Sequence, residues 1–243
     1  MNETKYTVVV TGAASGIGKA TAEHYVALGY TVVGVDVEQI TATYPILMCD
    51  IGDETSVKET FTTIAQEYGS IQYLINVAGI FTAGARGTIA TANLGEWSQV
   101  LATNLLGSAL VTKYAIPLLR QATGDRAIVN ISSDQGIHPR VNNAPYAISK
   151  SGINCLTQLI AQELLPYQIR VNAVAPASVR TNFIRDIVQS SEHMAQLYEA
   201  QEQTMPLGLI EAEDVAVLIA FLASPQSRKI TGQIIMMDSG LYI

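Results

Sequence analysis

The chain has 243 residues, of which 49% are hydrophobic and 14% charged, with 14 Lys and Arg against 21 Asp and Glu for a formal charge of −7. So much apolar content excludes a disordered chain, and a net negative protein without a basic tract is a poor binder of polyanions, so nucleic acid is not an expected partner. At ~150 residues per domain the length allows one or two units; large α/β sheets often run past about 200 residues as one, and a single domain over 1–243 is expected.

Cys49 and Cys155 lie far apart, each in an apolar run, and read as two buried free thiols; with His24, His138 and His193 also scattered, no metal cluster is expected. Met1–Lys5 leads straight into the strand-like Tyr6–Thr11, leaving no room for a signal peptide. The longest charge-free run, Tyr68–Ala85, is broken by Gly69, Gln72, Asn76 and Gly79 and does not read as a membrane span. A soluble, cytoplasmic protein with no membrane partner is expected.

In chain order, short apolar runs alternate with longer segments of helical period. The runs are Tyr6–Val10, Thr31–Val35, Ile46–Met48, Tyr73–Val77, Ala127–Ile131, Arg170–Ala175 and Gln233–Met237. Helices are predicted near Gly16–Leu28, Thr55–Tyr68, Leu94–Arg120, Tyr146–Leu165, Asn182–Gln203 and Glu211–Ala223, with Thr55 and Ser56 as start signals and Pro225 as a stop. Only Val37–Pro45 is too short for a full helix. This alternation predicts an α/β fold: one doubly wound, Rossmann-type parallel sheet of about seven strands, with helices on both faces and right-handed crossovers.

The first strand ends in Thr11-Gly12-Ala13-Ala14-Ser15-Gly16-Ile17-Gly18 and opens into an amphipathic run. Glycines at such a turn let the backbone approach a pyrophosphate, and the helix N-terminus offers unpaired N–H groups to its charge. Gly12, Ser15, Gly16, Ile17 and Gly18 are therefore candidate dinucleotide contacts. The second strand ends at Asp36, an acid about 20 residues on, where a carboxylate can accept from a ribose diol. It would repel a 2′-phosphate, and neither Ser15 nor Val37 supplies a cation, so NAD is favoured over NADP. After the third strand, Asp50 is placed to accept from an adenine amino group, with Ile51 beside it; the lesser reading of Asp50 is a helix-entry residue before Ser56.

The GxxxGxG spacing, together with Asn76-Val77-Ala78-Gly79, Asn104, Ser133 and Tyr146-Ala147-Ile148-Ser149-Lys150, resembles the short-chain dehydrogenase/reductase family along essentially the whole chain. Tyr146 and Lys150 at i, i+4 share a helical face. Hydride transfer at a carbonyl carbon needs one group to exchange the oxygen's proton and another to stabilise developing charge. A tyrosine with a reference pKa near ~10 is a poor base at neutral pH, and an adjacent ammonium lowers that value. The resemblance implies Tyr146 as acid/base, Lys150 as its activator and a ligand of the nicotinamide ribose, Ser133 as the hydrogen-bond partner of the substrate oxygen, and Asn104 as holder of a relay water. It also implies cofactor roles for Asn76, Ala78 and Gly79, with Asn76 structural first, and for Pro176, Val179 and Thr181 near the nicotinamide carboxamide. Ala177 stands where the family usually has Gly.

Within that family, Tyr44-Pro45, Ser133-Asp134, His138-Pro139-Arg140 and Met205-Pro206-Leu207-Gly208 look most like the 2,3-dihydro-2,3-dihydroxybenzoate dehydrogenases of catechol-siderophore synthesis. That resemblance implies a small-molecule cyclic diol substrate whose carboxylate Arg140 would bind, a role for which Arg180 and Arg185 compete and which a surface or intersubunit arginine would not fill. Alternatives are an NAD-dependent dehydrogenase or carbonyl reductase of another alcohol, ketone or sugar, and a non-catalytic NAD-sensing family member. The resemblance further implies a homotetramer, and residues 182–206 are expected to form a substrate lid.

Overall fold

Thr7–Thr11 (β1) reads Thr-Val-Val-Val-Thr and is buried throughout, as a strand covered on both faces should be. In the computed structural model, which describes residues 6–82, 87–181 and 203–243, it lies near the centre of a seven-stranded sheet. The other strands are Thr31–Asp36 (β2), Ile46–Met48 (β3), Tyr73–Asn76 (β4), Arg126–Ile131 (β5), Ile169–Pro176 (β6) and Ile234–Met237 (β9), and every pairing among the seven is parallel. Their order is β3-β2-β1-β4-β5-β6-β9. It reverses between β1 and β4, the switch point beside which open α/β sheets bind ligands. Val179–Arg180 (β7) and Ile210–Glu211 (β8) form a small parallel pair that the apolar pattern is too short to reveal.

Gly16–Ala27 (α1) and Ala212–Ala223 (α6) pack on one face, while Glu54–Tyr68 (α2), Ser108–Gln121 (α4) and Ala144–Leu164 (α5) cover the other. Side chains alternate accordingly. Val8, Val10, Tyr73 and Ile75 meet Tyr25 and Ile219, whereas Val9 and Leu74 meet Phe61, Ile64, Leu118 and Leu164. Each fully buried aliphatic stabilises the fold by about 1.5–3 kcal/mol, so the sheet interior supplies stability and leaves the strand C-termini for polar residues. Cys49 is buried and free, but Cys155 is free and exposed on α5, contrary to the expected burial.

Local chemistry fixes the helix ends. Asp53, not Thr55 or Ser56, caps α2 by accepting from the Thr55 N–H, and Glu211 and Asp214 form a reciprocal capping box on α6. At the other end of α6, buried Arg170 from β6 donates to the carbonyls of Leu222, Ala223 and Ser224 and pairs with Asp125 at 2.8 Å. Those carbonyls have no partner in a free helix end, and the cation also meets the negative end of the helix dipole. The predicted helix Leu94–Arg120 is divided: Leu94–Leu101 (α3) passes through a π-helical stretch, Ala102–Gly107, before α4 begins.

Candidate active site

The loop after β1 is built by glycines. Gly12 and Gly16 adopt positive φ (68° and 51°), and a methyl at Gly12 would meet the Ala78 backbone at 3.0 Å. A methyl at Gly18 would overlap the Gly12 carbonyl, so Gly18 is required for the helix to start beneath the loop. Thr11 Oγ1 accepts from the N–H groups of Val77 and Ala78 and ties the end of β1 to the loop after β4. Ser15 occupies the N-cap of α1 without capping it, which leaves the first N–H groups of the helix facing the cleft.

Asp36 sits where the ribose acid was expected. Its Oδ2 accepts from the Ala14 N–H at 2.8 Å and its Oδ1 from the Glu38 N–H at 3.0 Å, and it forms no ion pair among the described residues. The Val37–Pro45 connection is irregular, as expected, and returns Tyr44 beneath the glycine loop, where its hydroxyl donates to the Ala13 carbonyl at 2.8 Å. Burial pushes the Tyr44 phenol up to about 12, so this support stays protonated at neutral pH. Asp50 is exposed, with Oδ1 accepting from the Gly52 N–H. Ile51 is a core side chain packed where Gly107 lets the π-helical stretch approach to contact distance.

Asn76 is buried, as its structural reading implied. Its amide donates to Thr112 Oγ1 and Asn130 Oδ1, and Asn130 donates on to Thr157 Oγ1. This polar ladder crosses from α4 through β4 and β5 to α5. Pro176 ends β6, buried Val179 begins β7, and Thr181 lies close enough to Gly16 that a methyl there would touch its side chain at 3.3 Å. The loops after β1 and β6 thus flank one cleft. Ala177 does not take a positive φ, so the alanine is accommodated in place of glycine.

The four residues carrying the proposed chemistry converge on the C-terminal ends of β4 and β5. Asn104, in the π-helical stretch, is buried; its Oδ1 accepts from the Ile80 N–H at 2.7 Å and its Nδ2 donates to the Ile80 carbonyl and to Ser149 Oγ. A methyl at Gly79 would lie 3.2 Å from Asn104 Oδ1 and 3.6 Å from Lys150 Nζ, so the two side chains approach the same point. π-helical turns recur at functional sites because they turn a side chain out of helical register. Lys150 is buried and donates to the Ile131 carbonyl at 2.8 Å. Ser133 ends the strand-to-turn segment beside it, with its hydroxyl close enough to Tyr146 to act on the phenol's acidity. Phe81, which sequence patterns did not single out, meets the Tyr146 ring edge-on at 5.6 Å.

The electrostatics differ from the expectation that Lys150 would depress the Tyr146 pKa. Burial pushes the Tyr146 phenol up to about 12; the Ser133 hydroxyl opposes this and the Asp134 charge adds to it. Burial likewise pushes the Lys150 ammonium down to about 8. The two groups are close, with Nζ 5.7 Å from the phenol ring centroid, and burial is the leading cause of both shifts.

Arg140 does not stand open to a substrate carboxylate. Its Nη2 donates to Asp134 Oδ2 at 2.8 Å and to the Tyr242 hydroxyl at 3.2 Å. Arg180 lies 3.4 Å from Glu211, and Arg185 falls outside the described residues. So does the expected lid, except at 203–206, where Met205 is buried in the core. No metal-binding cluster of His, Cys, Asp and Glu occurs among the described residues, and no described helix is long and apolar enough to cross a membrane.

This fold, with a glycine loop at the switch point and Asn, Ser, Tyr and Lys gathered at the strand ends, defines a class of nucleotide-dependent oxidoreductases. The family model described as Enoyl-(Acyl carrier protein) reductase matches residues 12–242. The chain is 34% identical to the 3-oxoacyl-(acyl-carrier-protein) reductase FabG of Thermotoga maritima over 97% of each chain. It is 32% identical to the trans-4-hydroxycyclohexanecarboxylate dehydrogenase of Sinomonas cyclohexanicum, covering 96% of this chain and 91% of that one. Among solved structures, the ligand-free aldohexose dehydrogenase of Thermoplasma acidophilum superposes with a TM-score of 0.91 at 34% identity, covering 98% of this chain and 94% of that one. The chain belongs to the short-chain dehydrogenase/reductase family.

Proposed function

We propose that the protein is an NAD-dependent dehydrogenase of a small cyclic secondary alcohol. The observation that carries the cofactor choice is Asp36, whose carboxylate is fixed at the end of β2 by the Ala14 N–H and has no described cation beside it. A ribose diol can donate to such a carboxylate, whereas a 2′-phosphate would meet like charge. The residues present fit the dinucleotide. The glycine cradle is closed to side chains, α1 offers uncapped N–H groups, and the buried Lys150 ammonium, a three-proton donor, has one hydrogen bond to a described residue. Gly12, Ser15, Gly16, Ile17 and Gly18 would hold the pyrophosphate, Asp36 the adenosine ribose, and Asp50 with Ile51 the adenine. Lys150 would hold the nicotinamide ribose, and Ala78, Gly79, Pro176, Val179 and Thr181 would line the nicotinamide end.

When bound, NAD supplies the hydride acceptor. The chain's own residues handle the alcohol oxygen. Ser133 orients it and takes part of its charge, Tyr146 removes its proton, and Lys150 favours the phenolate. Asn104, with a water, would return the proton from Lys150 to solvent. Tyr146 is half-buried with its ring edge-on to Phe81, which would limit the access of bulk water to the acid/base.

The ring-shaped substrate draws on the aldohexose and hydroxycyclohexanecarboxylate enzymes among the relatives. The earlier dihydrodiol-benzoate reading loses its physical anchor, because Asp134 and Tyr242 already engage Arg140. Reduction of a 3-oxoacyl thioester is the second reading, favoured by the FabG relative. Following absorbance at 340 nm decides between them. Cyclic alcohols with NAD should generate NADH faster than a 3-oxoacyl thioester consumes NADPH, and the reverse ranking would favour the second reading.

A further inference from the structure

We propose that Asp134 is a positioning residue for Ser133, and that Tyr242 and Arg140, from outside the group of Asn104, Ser133, Tyr146 and Lys150, hold Asp134 in that role. This inference rests on the dehydrogenase reading of the site. Ser133 Oγ donates to Asp134 Oδ1 at 2.9 Å, and the Gln135 N–H reaches both atoms, at 3.2 and 2.8 Å. The serine oxygen is thereby pinned in one rotamer, from which its proton can rotate toward a substrate oxygen without moving the oxygen itself.

A buried carboxylate beside a site that develops negative charge needs compensation. Asp134 is buried, and its second oxygen receives two donors: Arg140 Nη2 at 2.8 Å and the Tyr242 hydroxyl at 2.9 Å. Arg140 also donates to the Tyr242 oxygen, closing a three-membered ring of hydrogen bonds, and His138 stacks on the Tyr242 ring with centroids 4.2 Å apart. Tyr242 lies far along the chain, in the segment after β9. That segment is itself tied down: Asp238 accepts from the N–H groups of Gly240 and Tyr242, and Leu207 donates to the Ser239 carbonyl. Ser133 is therefore connected through Asp134 and Tyr242 to residues 238–242, and through Ser239 to Leu207.

The groups facing Asp134 are Ser133, Tyr146, Arg140 and Tyr242, with His138 behind Tyr242; Lys150 on α5 turns instead to the Ile131 carbonyl. The main upward push on the Tyr146 pKa is burial, and the Asp134 charge adds to it, so removing that charge lets the phenol give up its proton at lower pH.

The test is the pH dependence of alcohol oxidation with NAD for wild type, Asp134→Asn, Asp134→Ala and Tyr242→Phe, with NAD affinity measured in parallel. Asp134→Asn retains an acceptor for Ser133 but loses the charge. Its plateau kcat should stay within about threefold, while the midpoint of the rise with pH moves down by about one unit. Asp134→Ala should lower kcat roughly ten-fold, and Tyr242→Phe several-fold, both with unchanged NAD affinity. If Asp134→Ala does not fold, the midpoint of Asp134→Asn and the kcat of the exposed-site variant Tyr242→Phe decide. Wild-type turnover with all folded variants matching it in kcat and midpoint overturns this inference alone. A wild type that oxidises no alcohol and reduces no ketone overturns the dehydrogenase reading and this inference with it.

Discussion

Asp36 accepts the Ala14 N–H at 2.8 Å, so a hydrogen bond ties the acid at the end of β2 to the glycine loop after β1 across 22 residues of sequence. A carboxylate fixed in this way cannot swing aside for a 2′-phosphate without giving up a hydrogen bond. NAD(H) should therefore bind at least ten-fold more tightly than NADP(H), about 1.4 kcal/mol. Asp36→Ala should narrow that gap. Isothermal titration with both cofactors checks this, and equal affinities in the wild type would remove the basis for the cofactor choice.

Lys150 costs stability where it is useful. Holding its ammonium in the interior, with a pKa of about 8 against 10.5 for a free lysine, costs on the order of 3 kcal/mol below pH 8. Lys150→Met removes that cost and leaves the Ile131 carbonyl without its donor, a loss of about 1 kcal/mol. The variant should be inactive yet melt about 6 °C higher at pH 7. The sign of the pH dependence follows from proton binding. Between about pH 8 and 10.5 the unfolded chain binds the lysine proton and the folded one does not, so wild-type stability gains on the variant as pH rises through this window. Melting curves at pH 7 and pH 10 check both statements; a variant less stable than wild type at pH 7 would contradict them.

Arg170 joins β6 to the last turn of α6 and to Asp125, with every one of those acceptors in or near the interior. Arg170→Met should lower stability by about 3 kcal/mol, because it strands the carboxylate and several carbonyls at once. Denaturant titration measures this directly, and a loss below about 1 kcal/mol would show that the helix end is satisfied in another way.

Self-association is expected as a homotetramer. Leu106, Ile148 and Leu159 stay exposed on and near α4 and α5, and Val217 and Phe221 on α6, beside the half-buried edge strand β9. Two such apolar faces on one subunit suit two different two-fold contacts. Light scattering should give about four times 26.0 kDa, and a mass of 26.0 kDa at micromolar concentration would rule this out.

Much of this was readable beforehand because parallel strands buried on both faces are written as unbroken β-branched runs. All seven sheet strands lie within a residue or so of their apolar runs, and β3 matches its run residue for residue. The positions of the glycine loop, Asp36, Asn104, Ser133, Tyr146 and Lys150 were legible for a different reason: the glycines and Asp36 sit at a strand-to-helix turn and a strand end, and the family resemblance pointed to the other four, which the fold brings to the strand C-termini. What was not legible depends on tertiary contact. The π-helical stretch around Asn104 has the same apolar period as the helix it interrupts. Tyr44, Phe81 and Tyr242 are ordinary aromatics until the fold sets them against Ala13, Tyr146 and Asp134. Arg140 looked available because no local feature of its sequence discloses Asp134 as its partner.

The most direct test of the account compares wild type with Tyr146→Phe in NAD-linked oxidation of cyclic alcohols, alongside NAD affinity. The phenylalanine keeps the ring packed against Phe81 and removes only the phenolic hydroxyl. The account predicts that wild type produces NADH and that Tyr146→Phe loses activity by about 10²-fold or more with NAD affinity unchanged, since positioned acid/base groups contribute on that scale. Retention of more than about a tenth of the wild-type rate by Tyr146→Phe would contradict it.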